Sequence, residues 1–206
     1  MNTQNLINKY FKAFDTKEEL SDYALQESAK YTEVLNLIPV QELIKWIKSN
    51  QGKYLYLRGA NLEGVDFATL NLRDAVCIEA NFTGANFKNT VLLGGNFMNA
   101  NLQETNCLNA NFANVFLYNT IFLHSNCSYA SFKNADLRGA NFSYTCCKSV
   151  NFNGADLQEV DFSSARCSNA SFKNADLRSA KLKNAYLAGA NLQGAITNQD
   201  SQIITL

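Results

Sequence analysis

The sequence predicts a mainly β solenoid of four-sided coils preceded by a short helical segment. Three observations carry that reading: an unbroken apolar period of five, a period of twenty laid over it, and a single proline lying outside the periodic region. Stepping by five from Leu57 to Leu192, each of the 28 residues met is Leu, Phe or Cys. A period of five fits neither a helix near 3.6 nor a strand at 2, so each unit is a short extended piece followed by a turn. If four units close one coil, residues twenty apart stack. Cys107, Cys127, Cys147 and Cys167 then form one column, and Phe112, Phe132, Phe152 and Phe172 form another. The octapeptide SFKNADLR occurs at Ser131–Arg138 and again at Ser171–Arg178, two coils on. The 28 units make about seven coils, and at about 4.8 Å between neighbouring strands the body is roughly 30 to 35 Å long.

Two residues before each central apolar position stands a small residue, usually Ala, as at Ala60, Ala80, Ala85, Ala100 and at every fifth place from Ala165 to Ala190. Between the two sits Asn or Asp in most units, a regularity that predicts side-chain bonds to backbone at the corners. The pattern Ala-(Asp/Asn)-(Leu/Phe)-x-x resembles that of the pentapeptide-repeat proteins and runs from about Leu55 to Ala195 without a break. That resemblance implies a right-handed, four-sided parallel β-helix with Leu, Phe and Cys pointing inward. Pro39 falls outside it, as a ladder that uses its N–H donors requires.

The ends follow from the fold, because a solenoid exposes an apolar end unless a segment covers it. Residues 1–52 are expected to be helical. Leu6, Ile7, Tyr10, Phe11 and Phe14 share one face of a helix over Asn2–Phe14, and Asp15 with Glu18 starts a second reaching about Leu35. Pro39 opens a third, which carries Val40, Leu43, Ile44, Trp46 and Ile47 and ends near Gly52. This segment either caps the first coil or is a separate partner-binding module. The chain thus divides into residues 1–52, the repeat body 53–195 and a tail 196–206. In the tail, Ile203, Ile204 and Leu206 suit an end cap or a dimer contact.

Charge removes several functional classes. Eighteen Lys and Arg balance eighteen Asp and Glu, and the repeat region is itself close to neutral, so neither a nucleic-acid surface nor an acidic tail is expected. The first residues lack the basic start, apolar stretch and cleavage site of a secretory signal, and no run is long enough for a membrane span. The expected compartment is the cytoplasm. The six cysteines follow the packing period, which favours reduced thiols over a disulfide framework.

Little in the sequence suggests catalysis, so no enzyme activity, cofactor or metal is expected. The only histidine, His124, stands beside Leu123 with no second histidine to build a relay. The cysteine column points inward in a line, which neither encloses a metal tetrahedrally nor sets Cβ atoms at disulfide spacing. Cysteine as a small core residue accounts for it. Cys146 alone takes an outward position and is the candidate reactive thiol. Asp136, Asp156 and Asp176, with Arg138 and Arg178, form a solvated charge ladder.

One outward surface breaks the polar rule. Val76, Ile78, Met98, Phe116 and Tyr118 lie on one face, Val91 and Leu93 on the face before it, and Ile121 and Leu123 on the face after it. Nine apolar residues grouped there predict a contact surface, met by the N-terminal helices, by a second chain or by another protein. The function expected is a non-catalytic protein-interaction or scaffold module with an unidentified partner. The family resemblance adds two alternatives, a duplex-DNA mimic that protects type II topoisomerases and a secreted bacterial effector. The first needs a strongly negative surface, which this chain lacks.

Overall fold

The computed structural model describes residues 3–19, 39–50 and 52–198. Its body is a parallel ladder in which every rung joins residues twenty apart, as in the run Tyr56, Val76, Asn96, Phe116, Asp136, Asp156, Asp176 and Ile196. Four such runs form the four walls. Each five-residue unit satisfies its own donors, as the unit around Phe82 shows. Asn81 N–H donates back to Ala60 at 2.9 Å, while Phe82 and Gly84 donate forward to Asn101 and Gln103 at 2.7 and 2.8 Å. Ala85 closes the turn on Phe82 at 2.9 Å. The remaining donor, Thr83 N–H, goes to Asn81 Oδ1 at 3.1 Å. The Asn or Asp before each central residue therefore supplies the acceptor that the backbone lacks, as its regularity predicts.

The second residue after each central position has φ between +54° and +73°, whether it is Gly64, Asn99 or Tyr144. A positive φ at the third place of a turn is what a type II turn demands, and Asn and Gly reach it at least cost. The two choices are linked along a column. A Cβ on Gly154 would lie 2.5 Å from Asn134 Oδ1, one coil below, so the glycine leaves room for the asparagine amide.

Inside, the rings of Phe112, Phe132, Phe152 and Phe172 stack with centroids 4.8 to 5.3 Å apart. Phe122 and Phe142 stack on the opposite wall at 4.5 Å and meet the first column edge-on, as Phe132 meets Phe142 at 84°. The Cys and Leu walls complete the square. Cys77, Cys107, Cys127, Cys147 and Cys167 are all fully buried, and burial pushes the Cys77, Cys127 and Cys147 thiols well above their ordinary range. Buried hydroxyls take the second lone pair of wall carbonyls, as Thr90 donates to Phe67 at 2.8 Å and Thr120 to Phe97 at 2.9 Å.

The N-terminal segment departs from the sequence expectation in three places. Helix α1 spans Thr3–Tyr10 and stops short of Phe14, because Lys12–Phe14 forms strand β1 instead. β1 pairs antiparallel with β2, Tyr54–Tyr56, placing Ala13 opposite Leu55. The open edge of one wall outweighs helical spacing there, since an unpaired ladder edge leaves its backbone groups without partners. The capping box is shifted by one residue. Thr16 Oγ1 accepts from Glu19 N–H at 3.2 Å, and Glu19 Oε2 accepts from Thr16 N–H at 3.3 Å. The rest of the second helix lies outside the described residues. Helix α2, Val40–Ser49, follows Pro39 as expected but ends before Gly52. Ile7 and Phe11, with Leu43 and Ile47 of α2, are buried in the cluster that continues through Leu55 and Leu57 into the coils. At the far end Leu182, Leu187 and Leu192 are only partly covered. Ile203, Ile204 and Leu206 lie outside the described residues.

Two outcomes test this account. Cys147→Leu should overfill its coil and lower stability by about 1 to 3 kcal/mol in urea unfolding, while Cys147→Ala should cost less. The second concerns Asp136 and Asp176, held below the usual carboxylate range by hydrogen bonds from Arg138 and Arg178. A carboxyl with a depressed native pKa adds stability above its unfolded pKa of about 3.9, and that stability is lost as pH falls through the native value. Replacing both aspartates by asparagine keeps the turn acceptor and removes the charge, so the thermal midpoint of that variant should fall less than that of wild type between about pH 4 and pH 2.

Candidate functional site

The walls fix where each predicted surface residue lies, and they divide the apolar group in two. Val76 is 9% exposed and packs with Tyr56, and Phe14, Tyr54 and Ile78 pack against that pair. Val76 is thus covered, and the half-buried Ile78 packs beside it, where the antiparallel β1–β2 pair meets that end of the wall. The cover at Val76 comes from strands, and not from the N-terminal helices that were one of the three occupants expected. The remaining seven stay accessible. Phe116 is 52% exposed and Tyr118 39%, Val91 and Ile121 are exposed, and Leu93, Met98 and Leu123 are half-buried.

The same residues interrupt the corner bonding. From Asn61 to Asn126, every Asn or Asp before a central residue accepts the N–H two residues on, as in Asn96 to Met98 at 3.2 Å and Asn101 to Gln103 at 3.0 Å. The residues in that stretch unable to do so are Val76, Val91, Phe116 and Ile121, all of them in the predicted patch. The N–H groups of Leu93, Tyr118 and Leu123 consequently find no acceptor among the described residues. Each replacement gives up a hydrogen bond worth about 0.5 to 1.5 kcal/mol and exposes apolar area in its place. Departures from an otherwise consistent local rule tend to mark functional positions.

Tyr144, which sequence reasoning left out, and His124, which it read only as a lone histidine beside Leu123, extend this surface. Tyr144 is 60% exposed at a corner with φ +57°, and its ring lies 5.2 Å from that of His124, itself at φ +59° beside Leu123. Both stand at the positive-φ corner that every unit shares, as Tyr129 does at φ +61°. The signal was available as a Tyr and a His twenty residues apart where Gly, Asn or Ser usually stand, and the stacking of the coils brings the two rings together. One coil beyond Tyr118, Arg138 lies over the Tyr118 ring at 5.6 Å while its guanidinium grips Asp136 at 2.6 and 2.8 Å.

Cys146 is half-buried between the Asn126 and Arg166 rungs, with its Sγ 3.2 Å from Ser128 Oγ. Among the described residues no group of three or more His, Cys, Asp or Glu side chains is placed to hold a metal ion. No helix among them is long and apolar enough to cross a membrane.

With the five-residue unit and twenty-residue rung in place, comparison with known proteins identifies the class. The family model for pentapeptide repeats matches residues 56–89, 80–119, 120–158 and 155–194, and the chain belongs to the pentapeptide-repeat family. Solved structures of the family are similar to it. HetL, a pentapeptide repeat protein involved in heterocyst differentiation regulation in the cyanobacterium Nostoc sp. strain PCC 7120, is 28% identical over 71% of this chain and 73% of its own, with a TM-score of 0.27. Full-length QnrB1, a plasmid-mediated fluoroquinolone resistance protein, is 20% identical over 69% and 86%, with a TM-score of 0.32. Rfr23 from the cyanobacterium Cyanothece 51142 is 16% identical over 78% and 100%, with a TM-score of 0.30. Among curated proteins none matches.

Thiol accessibility gives a direct check on which side chains face outward. In native protein, Ellman's reagent should titrate Cys146 and leave the five core thiols untouched, and all six should react after denaturation.

Proposed function

We propose that this chain is a non-catalytic protein-interaction rod that holds a partner on the wall carrying Phe116 and Tyr118. In this reading residues 1–52 cap the first of about seven right-handed coils in 53–195, residues 196–206 follow the last coil, and the rod works in the cytoplasm. The observation that carries the reading is the coincidence at Val91, Phe116 and Ile121, where apolar side chains are exposed and the corner hydrogen bond is given up together. A rigid wall with no cleft suits recognition by a partner's surface better than the enclosure of a small substrate. Near-neutral charge does not support a duplex-DNA mimic, which must compete electrostatically for a nucleic-acid site.

An affinity pull-down from native-host lysate, read by mass spectrometry, tests this with wild type beside a Phe116→Glu, Tyr118→Glu variant shown by circular dichroism to be folded. A protein captured by wild type and lost with the variant is the expected result. Identical capture by both, or none by either, would move the function to another surface.

A further inference from the structure

We infer that the wall of rungs Asn126, Cys146, Arg166 and Tyr186 binds single-stranded RNA, with cations for the phosphates and exposed tyrosine rings for the bases. This is a different wall from the one that carries Phe116, and its ligand lies beyond the interaction reading. The balanced charge of the whole chain argues against nucleic acid, but the coils sort that charge by wall. In the C-terminal half, Asp136, Asp156 and Asp176 stand together on one wall, where Arg138 and Arg178 answer them. From Asn126 onward, the described residues of the Arg166 wall and of the corners on either side include no Asp or Glu. Lys148 and Arg166 are exposed there, and Lys181 and Lys183 are exposed on the adjoining wall, where Asp161 is the one carboxylate from Asn141 onward. Among the described residues none of these four cations forms an ion pair or a side-chain hydrogen bond. A local positive potential results that the neutral total conceals.

Cations alone accept many anions, and the aromatic rings narrow the choice. Tyr129, Tyr144 and Tyr186 are each more than half exposed, and all three stand on this wall or at its corners. Tyr129 N–H donates to the main-chain oxygen of Lys148 at 2.9 Å, and Arg166 and Tyr186 are rung partners, so rings and cations are interleaved. A single strand uses both, its phosphates meeting the cations and its unpaired bases stacking on the rings. A duplex keeps its bases stacked on one another and leaves the rings idle. A bilayer is flat, and cations on two adjoining walls of a square do not both face it. An acidic peptide meets the cations but brings no base to the ring faces. Ser149 and Ser168, joined by a main-chain bond of 2.9 Å beside Lys148, make no side-chain hydrogen bond among the described residues. Their hydroxyls can bond a 2′-hydroxyl, which favours RNA over DNA. Three rungs separate Asn126 from Tyr186, or about 14 Å, which is room for a few nucleotides.

The test uses the full chain and a fluorescein-labelled oligouridine of about twelve nucleotides, followed by fluorescence polarisation. Wild type should bind at about 50 mM salt, with log affinity falling against log salt at a slope of about −2 to −3, as four cations on a single strand require. A Tyr129→Asn, Tyr186→Asn variant places at both positions the residue usual there, so its thermal midpoint should be kept. It should bind at least about tenfold more weakly with the salt slope unchanged. A Lys148→Gln, Arg166→Asn variant should also bind more weakly, and its slope should flatten by about 1 to 1.5. The deoxy strand of the same sequence should bind more weakly than the RNA. Binding that the tyrosine variant retains in full, or that polyglutamate or phosphatidylserine vesicles match, would make the strip a general anion surface and overturn the inference. Equal or tighter binding of the deoxy strand or of duplex would overturn it too, as would no binding at low salt. Both variants leave Phe116 and Tyr118 in place, so the pull-down above reads the interaction wall independently.

Discussion

The structure depends on the corner, where a residue with positive φ turns the chain and the Asn or Asp three residues earlier holds the N–H that the ladder cannot use. Each unit has five backbone N–H groups, and the neighbouring coils and the turn itself accept four of them. The fifth needs a side chain, which explains why Asn and Asp recur at a surface position with no packing demand. With this bond made, the extended piece and the turn are closed locally, and the coil repeats at twenty residues because four equal corners return the chain to its start.

Coil closure then imposes a volume limit on the interior. In every coil from Cys77 to Phe172 the four central residues are two Phe, one Leu and one Cys, even though their walls change. The coil from Cys77 places its Phe on two adjacent walls, and the one from Leu117 on opposite walls. What is kept is the filling of the square and not the residue at a given wall, which is the behaviour expected of a close-packed core. Cysteine is the small member that makes room for two rings, so its burial in a column follows from packing without appeal to metal or redox chemistry. The end coils differ, with Phe67 the only Phe among the central residues of the first and none in the last. At the N-terminal end Ile7, Phe11, Leu43 and Ile47 join the same core, a meeting that aliphatic side chains can adapt to more readily than stacked rings.

The repeat body was legible in the sequence because each of its rules acts over five or twenty residues, within reach of simple counting. The inward columns, the Asn and Asp bonds and the cysteine packing all follow from that counting. The N-terminal segment was less legible because its structure is decided by what it meets. Lys12–Phe14 continues a helical pattern, yet the free edge at Tyr54–Tyr56 draws it into a strand. The capping box shifted for a similar local reason, since Thr16 and Glu19 satisfy one another's N–H groups as Asp15 and Glu18 do not. Val76 and Ile78 were correctly placed on an outer wall by the period, but no period reveals that Phe14 and Tyr54 fold over it. Tyr144 was passed over, and His124 was read as a lone histidine, because the meeting of their rings shows only once the coils are stacked.

Loss of the corner bond alone does not mark a binding surface. Toward the C-terminal end Ser131, Cys146, Arg166, Ser171, Lys181 and Tyr186 also stand where Asn or Asp would; at Ser171 the Lys173 N–H goes to Asn153 Oδ1 at 3.1 Å instead, and of the six only Tyr186 adds a large exposed hydrophobic side chain. At Val91, Phe116 and Ile121 the substitution removes the acceptor and adds exposed apolar area, so two terms oppose the isolated fold at one place. Val76 shows how such a position is resolved within the molecule, by packing with Tyr56 of the β1–β2 pair. The three open positions, on that wall and the two beside it, have the same chemistry without that cover, and it is this contrast that makes them the surface to be covered by something else.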